Sequence, residues 1–127
     1  FVLDINLLKD INDSYGHHLG DRLIDAVSSI LSETALKSGG TAIRMGGDEF
    51  VLLNLGMPEN QAFDLCTQLR TRFEATPLMD DDRVILNHLQ VAIGVATRKD
   101  ATIAFEELFK HADQQMYQNK ADMKQTL

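Results

Sequence analysis

Three carboxylates and a pair of glycines are the residues of this sequence best suited to chemistry. Asp4 lies within a short apolar run, Phe1 to Ile5, and Asp48 and Glu49 follow Gly46 and Gly47 between two apolar segments. Carboxylates that lie close together repel one another unless a cation or a proton compensates their charge. All-oxygen ligands favour hard ions such as Mg²⁺, usually shared with substrate phosphates. Two such ions could activate a ribose hydroxyl and stabilise a leaving pyrophosphate.

The same residues also allow a purely structural interpretation. Gly46 and Gly47 would then supply the positive φ angles of a tight hairpin, and Asp48 and Glu49 would solubilise its end. For an isolated acidic pair this interpretation is favoured. A catalytic cluster therefore requires that the fold bring Asp4 to the same place.

The apolar pattern predicts four strands and three helices. The strands are expected at residues 1–5, 41–45, 50–55 and 84–97, the last with a turn at Asn87-His88 and with Gly94 at a bulge or close approach. Apolar stripes predict three helices. The first carries its stripe from Leu23 to Leu31 and ends near Ser38-Gly39-Gly40 as a C-cap, the second has Pro58 in its first turn, and the last has Phe105 facing inward. Residues 6–20 are polar and predict a loop, and Asp80-Asp81-Asp82 predicts a solvated loop.

The predicted order β-α-β-β-α-β-α is typical of an α+β fold with a ferredoxin-like, palm-like antiparallel sheet and flanking helices. In such a split βαβ unit the first two strands run parallel, joined by a right-handed crossover helix. The end of the first strand and the hairpin after the second then lie at one edge of the sheet. Asp4 is therefore expected beside the turn that carries Asp48 and Glu49.

Length, charge and cysteine content limit the classes of function. The 127 residues suit one domain, and the net charge of −7 argues against a nucleic-acid partner. Cys66 has no second cysteine to pair with, which suits a reducing cytoplasm. The chain begins at Phe1 inside a strand, so we expect residues 1–127 to be one domain of a longer protein. Sensor domains or membrane anchors upstream would leave no trace here.

Several motifs in order resemble the GGDEF family of diguanylate cyclases over essentially the whole chain. The first runs from Asp4 to Asp21 (DINLLKDIND, then GH and GD), and RMGGDEF at residues 44–50 contains the motif after which the family is named. Residues 91–96 resemble the last core strand of the family. Ala112-Asp113, Tyr117 and Lys120 resemble its closing helix.

The resemblance implies a role for each matching residue. Asp4, Asp48, Glu49 and the carbonyl of Ile5 match ligands of Mg²⁺ or Mn²⁺, with Asp48 and Glu49 as the catalytic acids. The remaining matches would bind GTP: Asn12 and Asp21 as guanine readers, Lys9, Lys120 and Lys124 as phosphate contacts, and Gly46 and Gly47 as the turn that admits the ligand. The family implies a homodimer for catalysis, with sensor or regulatory domains attached.

The sequence also departs from the family pattern. Asn6 replaces the second aspartate of Asp-x-Asp, Lys124 replaces an arginine, and Met123 stands where glycine is common. A lysine keeps the positive charge but loses the bidentate fork of arginine. Residues 1–127 do not include the helix and turn that usually precede the first strand in the family. Residues 37–40 lack the Arg-x-x-Asp of the product-inhibition motif, so we expect no inhibitory site of that type.

Three hypotheses follow. The first is a cyclase that condenses two GTP into cyclic di-GMP. The second is a catalytically weak or inactive domain that binds GTP and regulates an attached partner, which Asn6 and Lys124 leave open. The third is another nucleotidyl cyclase or palm-like enzyme, against which Asn12 and Asp21 argue.

Overall fold

A four-stranded antiparallel sheet forms the centre of the computed structural model, which describes residues 1–125. Its strands are β1 (Val2–Ile5), β2 (Thr41–Gly46), β3 (Glu49–Leu53) and β6 (Val91–Gly94), in the spatial order β2-β3-β1-β6. A separate hairpin pairs β4 (Leu78–Asp80) with β5 (Arg83–Leu86). The helices are α1 (Leu8–Tyr15), α2 (His17–Ser38), α3 (Glu59–Glu74) and α4 (Phe105–Gln125).

The sheet is covered by helices on both faces because its strands alternate between two apolar cores. Leu3, Phe50 and Ile93 lie in the larger core, together with residues of α2 and α3. Val2 and Ala92 point the other way and pack with α4. Because side chains alternate along a strand, Asp4 falls on the α4 side.

The predicted α+β class and split βαβ topology are confirmed. β1 and β2 are both antiparallel to β3, which lies between them, so they run parallel to each other. Gly39 ends α2 in the left-handed conformation, at φ 75°, as the C-cap pattern predicted.

Several element boundaries were wrong. Residues 8–15 form α1, where a loop was expected. The sequence pattern missed this helix because it buries only Ile11 and is otherwise rich in turn-forming residues. The long strand over 84–97 is two strands, β5 and β6, interrupted at the predicted Asn87-His88 turn. Residues 78–80 form a strand that the pattern missed. The strand predicted to Leu55 ends at Leu53, and Leu55 is exposed.

Two side-chain predictions also need correction. Phe105 was placed inward but is 50% exposed, at the first position of α4. Asp80 was placed in a solvated loop but is half-buried in β4, with Arg22 and Arg83 within ion-pair distance. Asp81 and Asp82 do form an exposed turn, as expected.

Gly94 is a point of close approach between β6 and α4. A Cβ at this position would lie 1.9 Å from the carbonyl oxygen of Ala112 and 2.3 Å from the backbone nitrogen of Met116. Both obstructing atoms belong to the helix backbone, so no side-chain rotation would make room. The missing side chain of Gly94 therefore sets the distance between the sheet and α4.

Replacing Gly94 with Ala should lower the free energy of unfolding by about 1–3 kcal/mol, the usual cost of overpacking a core. Urea denaturation of the two proteins measures this. Adding Ala112→Gly should not restore stability, since the clash is with backbone atoms. A Gly94→Ala variant as stable as the parent would contradict the close approach.

Candidate functional site

Strand pairing brings Asp4 to the hairpin that carries Asp48 and Glu49. Asp4 is the Cα partner of Glu49 across the β1–β3 ladder, and the backbone amide of Ile5 donates to the carbonyl of Asp48 at 2.9 Å. These residues are separated by more than forty positions in sequence. The expected meeting of the first strand and the Gly-Gly hairpin is thus observed.

Asp4 is the most perturbed carboxylate of this cluster. It is 8% exposed, its Oδ2 lies 3.2 Å from the Nζ of Lys120, and its Oδ1 is buried with no donor among residues 1–125. Burial and then the adjacent Asp48 carboxylate raise the pKa of Asp4 to about 6, although Lys120 opposes the shift. The positive charge of Lys120 therefore compensates the crowded carboxylates only in part.

Glu49 lies further out along the same edge. Burial, followed by the charges of Asp113 and Asp48, raises the pKa of Glu49 above its usual value. Asp113, on α4, thus adds a fourth carboxylate to this region. Asp113 belongs to the sequence motif of the closing helix, but its spacing in the sequence did not predict that it would lie near Glu49.

The oxygen atoms of Asp4 and Asp48 fit a hard cation. Asp4 Oδ1 is an acceptor without a donor, and the neighbouring carboxylate increases the negative potential there. No three His, Cys, Asp or Glu side chains of the described part of the chain converge on one point. A cation held by Asp4 and Asp48 would therefore take further ligands from backbone carbonyls, such as that of Ile5, from water or from substrate.

A cavity of about 270 Å³ opens beside this pair, and all three expected phosphate contacts line it. Its walls come from the β1–α1 connection, the hairpin and the C-terminal half of α4. The residues around it are Ile5, Asn6, Leu7, Leu8, Lys9, Asp10, Asp48, Gln90, Lys120, Met123 and Lys124. Three lysines thus meet in a chain of net charge −7, which produces a locally favourable site for a polyphosphate.

The turn residues Gly46 and Gly47 have φ angles of 144° and 51°, as the hairpin interpretation required. Arg44 donates from Nη2 and Nε to the carbonyl oxygen of Gly47, at 2.7 and 3.2 Å. Both glycines are exposed, so the turn leaves the backbone accessible from solvent.

Asn12 and Asp21 are not among the residues that line the cavity, and they lie where α1 packs against α2. Asn12 is on α1 with its Oδ1 buried and without a hydrogen-bond partner within the described chain. Asp21 is exposed on α2 and directly follows Gly20, which the Asn12 side chain contacts. The structure thus places both expected guanine readers around one helix–helix contact, and Lys9 precedes Asn12 by three residues on α1.

Two of the family departures meet in space. The side-chain amide of buried Asn6 donates to the sulfur of Met123 at 3.6 Å, beside the cavity. Asn6 and Met123 are 117 positions apart in the sequence, which did not predict a contact between them. Only the packing of α4 on the β1–α1 connection shows that they form one contact.

Comparisons with known proteins identify the family of this chain. A family model described as "Diguanylate cyclase, GGDEF domain" matches residues 1–126. The chain belongs to the GGDEF family. Among curated GGDEF relatives, the Diguanylate cyclase DgcM of Escherichia coli is 33% identical over 121 residues, covering 95% of this chain and 28% of that protein. An uncharacterized protein of Streptomyces griseus, in the hutH 5′ region, is 37% identical over 124 residues, covering 94% of this chain and 48% of that protein.

Solved GGDEF structures share the fold. The GGDEF domain of DgcB from Caulobacter crescentus, solved in complex with c-di-GMP, superposes with a TM-score of 0.85 at 26% identity. That match covers 95% of this chain and 70% of the other. The chain spans less than half the length of the curated relatives above. No helix within residues 1–125 combines the length and the hydropathy needed to cross a bilayer.

Replacing Asp4 with Asn should raise the melting temperature of the metal-free protein at neutral pH. The folded protein raises the pKa of Asp4 from its ordinary 3.8 to about 6. The stability that the protonated Asp4 carboxyl contributes is therefore fully present at pH values below its pKa in the unfolded chain. It is lost as the pH rises through its pKa in the folded protein. Asn stays neutral throughout, so the variant should be the more stable protein at about pH 7.5 and lose this advantage towards about pH 4.

Melting curves in excess chelator at several pH values measure this effect. Asp64→Asn, on the exposed surface of α3, is the matched control and should show no such pH-dependent gain. A lower melting temperature for Asp4→Asn at neutral pH would mean that the ion pair with Lys120 outweighs burial and repulsion.

Leu7 has a strained backbone at the entrance to α1. Its φ and ψ are 70° and 6°, the left-handed conformation, which costs an L-residue roughly 1–2 kcal/mol. Leu7→Gly should therefore be more stable than Leu7→Ala by about 1 kcal/mol, because both remove the side chain and only glycine removes the strain. Urea unfolding of the two variants measures the difference. Equal stabilities would show that this backbone is not strained.

Proposed function

We propose that this domain is a diguanylate cyclase, which condenses two GTP molecules into cyclic di-GMP and two pyrophosphates. The observation that carries the proposal is the pair of carboxylates, Asp4 and Asp48, beside a cavity lined by three lysines. Membership of the GGDEF family and the enzymes among its relatives support it. DgcM is a diguanylate cyclase by name, and that activity is a hypothesis for this chain.

Each residue has a task in the proposed reaction. Asp4 and Asp48, with the carbonyl of Ile5, would hold Mg²⁺ or Mn²⁺, which would neutralise charge on the phosphates when bound. Lys9, Lys120 and Lys124 would contact the phosphates. Because the Lys120 ammonium already contacts Asp4, it lies close enough to serve both a carboxylate and an incoming phosphate.

The chemistry is a displacement at phosphorus. The 3′-oxygen of one GTP forms a bond to the α-phosphorus of the other, and the bond from that phosphorus to pyrophosphate breaks. Glu49 would accept the hydroxyl proton or help to hold the cation, and its raised pKa makes it a stronger base than an exposed glutamate. Positioning and electrostatics would supply most of the rate enhancement.

Two copies of the domain are needed in this proposal. Each copy would present one GTP, and the two phosphodiester bonds would form when two sites face each other. Attached sensor or regulatory domains would act by controlling that encounter. Binding of GTP is favoured over ATP by Asn12 and Asp21, since a carboxylate accepts from the N1–H and amino group of guanine.

A regulatory GTP-binding module is the second candidate. The observation that favours it is the contact of Asn6 with Met123, which puts a neutral amide and a thioether where a further carboxylate and a glycine are usual. The loss of one charge beside Asp4 would weaken cation binding. Such a domain would bind GTP and turn it over slowly or not at all.

Incubation of the full-length protein with GTP and Mg²⁺ should yield cyclic di-GMP, detected by chromatography, and Asp48→Ala and Glu49→Ala should each lower the rate at least about a hundredfold. Asp64→Ala and Glu74→Ala, exposed on α3, are matched controls that should keep full activity. Metal-dependent GTP binding without product would favour the regulatory module. Absence of both product and binding would contradict both proposals.

A further inference from the structure

Gly20 occupies a position where glycine is unfavourable on local grounds. It is the fourth residue of the 22-residue helix α2 and its backbone φ is not positive, so alanine would suit the conformation better. Glycine inside a helix loses more conformational freedom on folding than alanine does. Its presence therefore calls for a reason outside the helix itself.

The side chain of Asn12 supplies that reason. A Cβ at position 20 would lie 1.7 Å from Asn12 Oδ1, 2.7 Å from its Cγ and 3.3 Å from its Nδ2. The three nearest atoms all belong to this one carboxamide, and none belongs to the backbone of α1. The bare Cα of Gly20 is thus the surface on which the amide of Asn12 rests.

This contact fixes which end of the amide is turned inward. Asn12 Oδ1 is buried against α2 and accepts no hydrogen bond from residues 1–125, while Nδ2 is the atom farther from position 20. The amide therefore leaves its donor for a ligand. Asp21, the next residue of α2, is exposed and presents acceptors.

A donor beside a carboxylate matches one purine and not the other. Guanine offers the O6 acceptor next to the N1–H and amino donors, whereas adenine offers a donor and an acceptor in the opposite order. Reversing the amide of Asn12 would bring its acceptor towards O6, and both would then be unpaired. Discrimination between the purines thus depends on the orientation of this amide.

We propose that Gly20 is a specificity-determining positioning residue, which fixes the Asn12 carboxamide so that its donor faces the base. The ligand in this inference, a guanine nucleotide, rests on the proposed function. The physical mechanism rests only on the contact between Gly20 and Asn12. A methyl group at position 20 would turn the amide away and leave the backbone of both helices in place.

The first experiment is a double-mutant cycle on stability with Gly20→Ala, Asn12→Ala and the double variant. Gly20→Ala should lower the melting temperature or leave it unchanged in the parent, and it should raise it in the Asn12→Ala background, where the clash is gone and only the better helix propensity remains. Gly94→Ala with Ala112→Gly is the control cycle, and it should show no rescue. Additive effects at Gly20 and Asn12 would overturn the inference, because a glycine needed for helix packing alone would not be relieved by truncating Asn12.

The second experiment compares the binding of GTP and ATP with Mg²⁺ by calorimetry. Gly20→Ala should weaken GTP binding by about tenfold, the value of one hydrogen bond, and leave ATP binding unchanged. In the Asn12→Ala background the substitution should have no further effect. A full preference for GTP in a folded Gly20→Ala variant would overturn the assignment of specificity.

The two experiments distinguish failure of this inference from failure of the proposed function. Non-additive stability in a protein that binds neither nucleotide would reject the guanine site and with it the specificity role, and would keep only the contact. Strong GTP preference with additive effects would keep the cyclase proposal and reject Gly20 as a positioning residue.

Discussion

Repulsion between carboxylates at the edge of the sheet is the constraint on which the rest of this structure depends. β1 and β3 pair in a register that sets Asp4 against Glu49, and the hairpin turn adds Asp48. Such a cluster is unfavourable in a fold of net charge −7 unless positive charge is brought to it. Lys120 brings part of that charge, and the remaining imbalance is what prepares the site for a cation and a polyphosphate.

The tight contact between α4 and the sheet positions Lys120 beside Asp4. α4 approaches β6 across Gly94, where no side chain separates the two backbones. A side chain of α4 also satisfies a backbone donor at the free edge of β6, since Asn119 Oδ1 accepts a hydrogen bond from the amide of Ile93 at 2.9 Å. Asn119 directly precedes Lys120, so the contact that satisfies an edge strand also fixes the height of the lysine above Asp4. The packing of α4 against β6 and the position of the Lys120 charge are therefore coupled.

Local unfavourable choices surround the site and are compensated by tertiary contacts. Leu7 adopts a left-handed backbone where the chain turns from β1 into α1, and Gly20 weakens the start of α2. The buried amide of Asn6 has no acceptor other than the sulfur of Met123 within the described residues. Departures from local preference are expected where a fold is shaped for binding. Here they occur at the β1–α1 connection and at the contact of α1 with α2, where the proposed ligand would lie.

The sequence by itself determined the class of fold, the crossover topology and the meeting of Asp4 with the Gly-Gly hairpin. These follow from apolar periodicity and from the handedness of βαβ units, which are properties of the backbone. It missed α1 and β4, because short elements with few buried residues are held by their neighbours and not by their own pattern. Only the tertiary structure decided that Lys120 pairs with Asp4, that Asn6 touches Met123 and that Asn12 rests on Gly20. Each of those contacts joins residues on different elements, and its existence depends on distances of a few tenths of an ångström that no spacing in the sequence encodes.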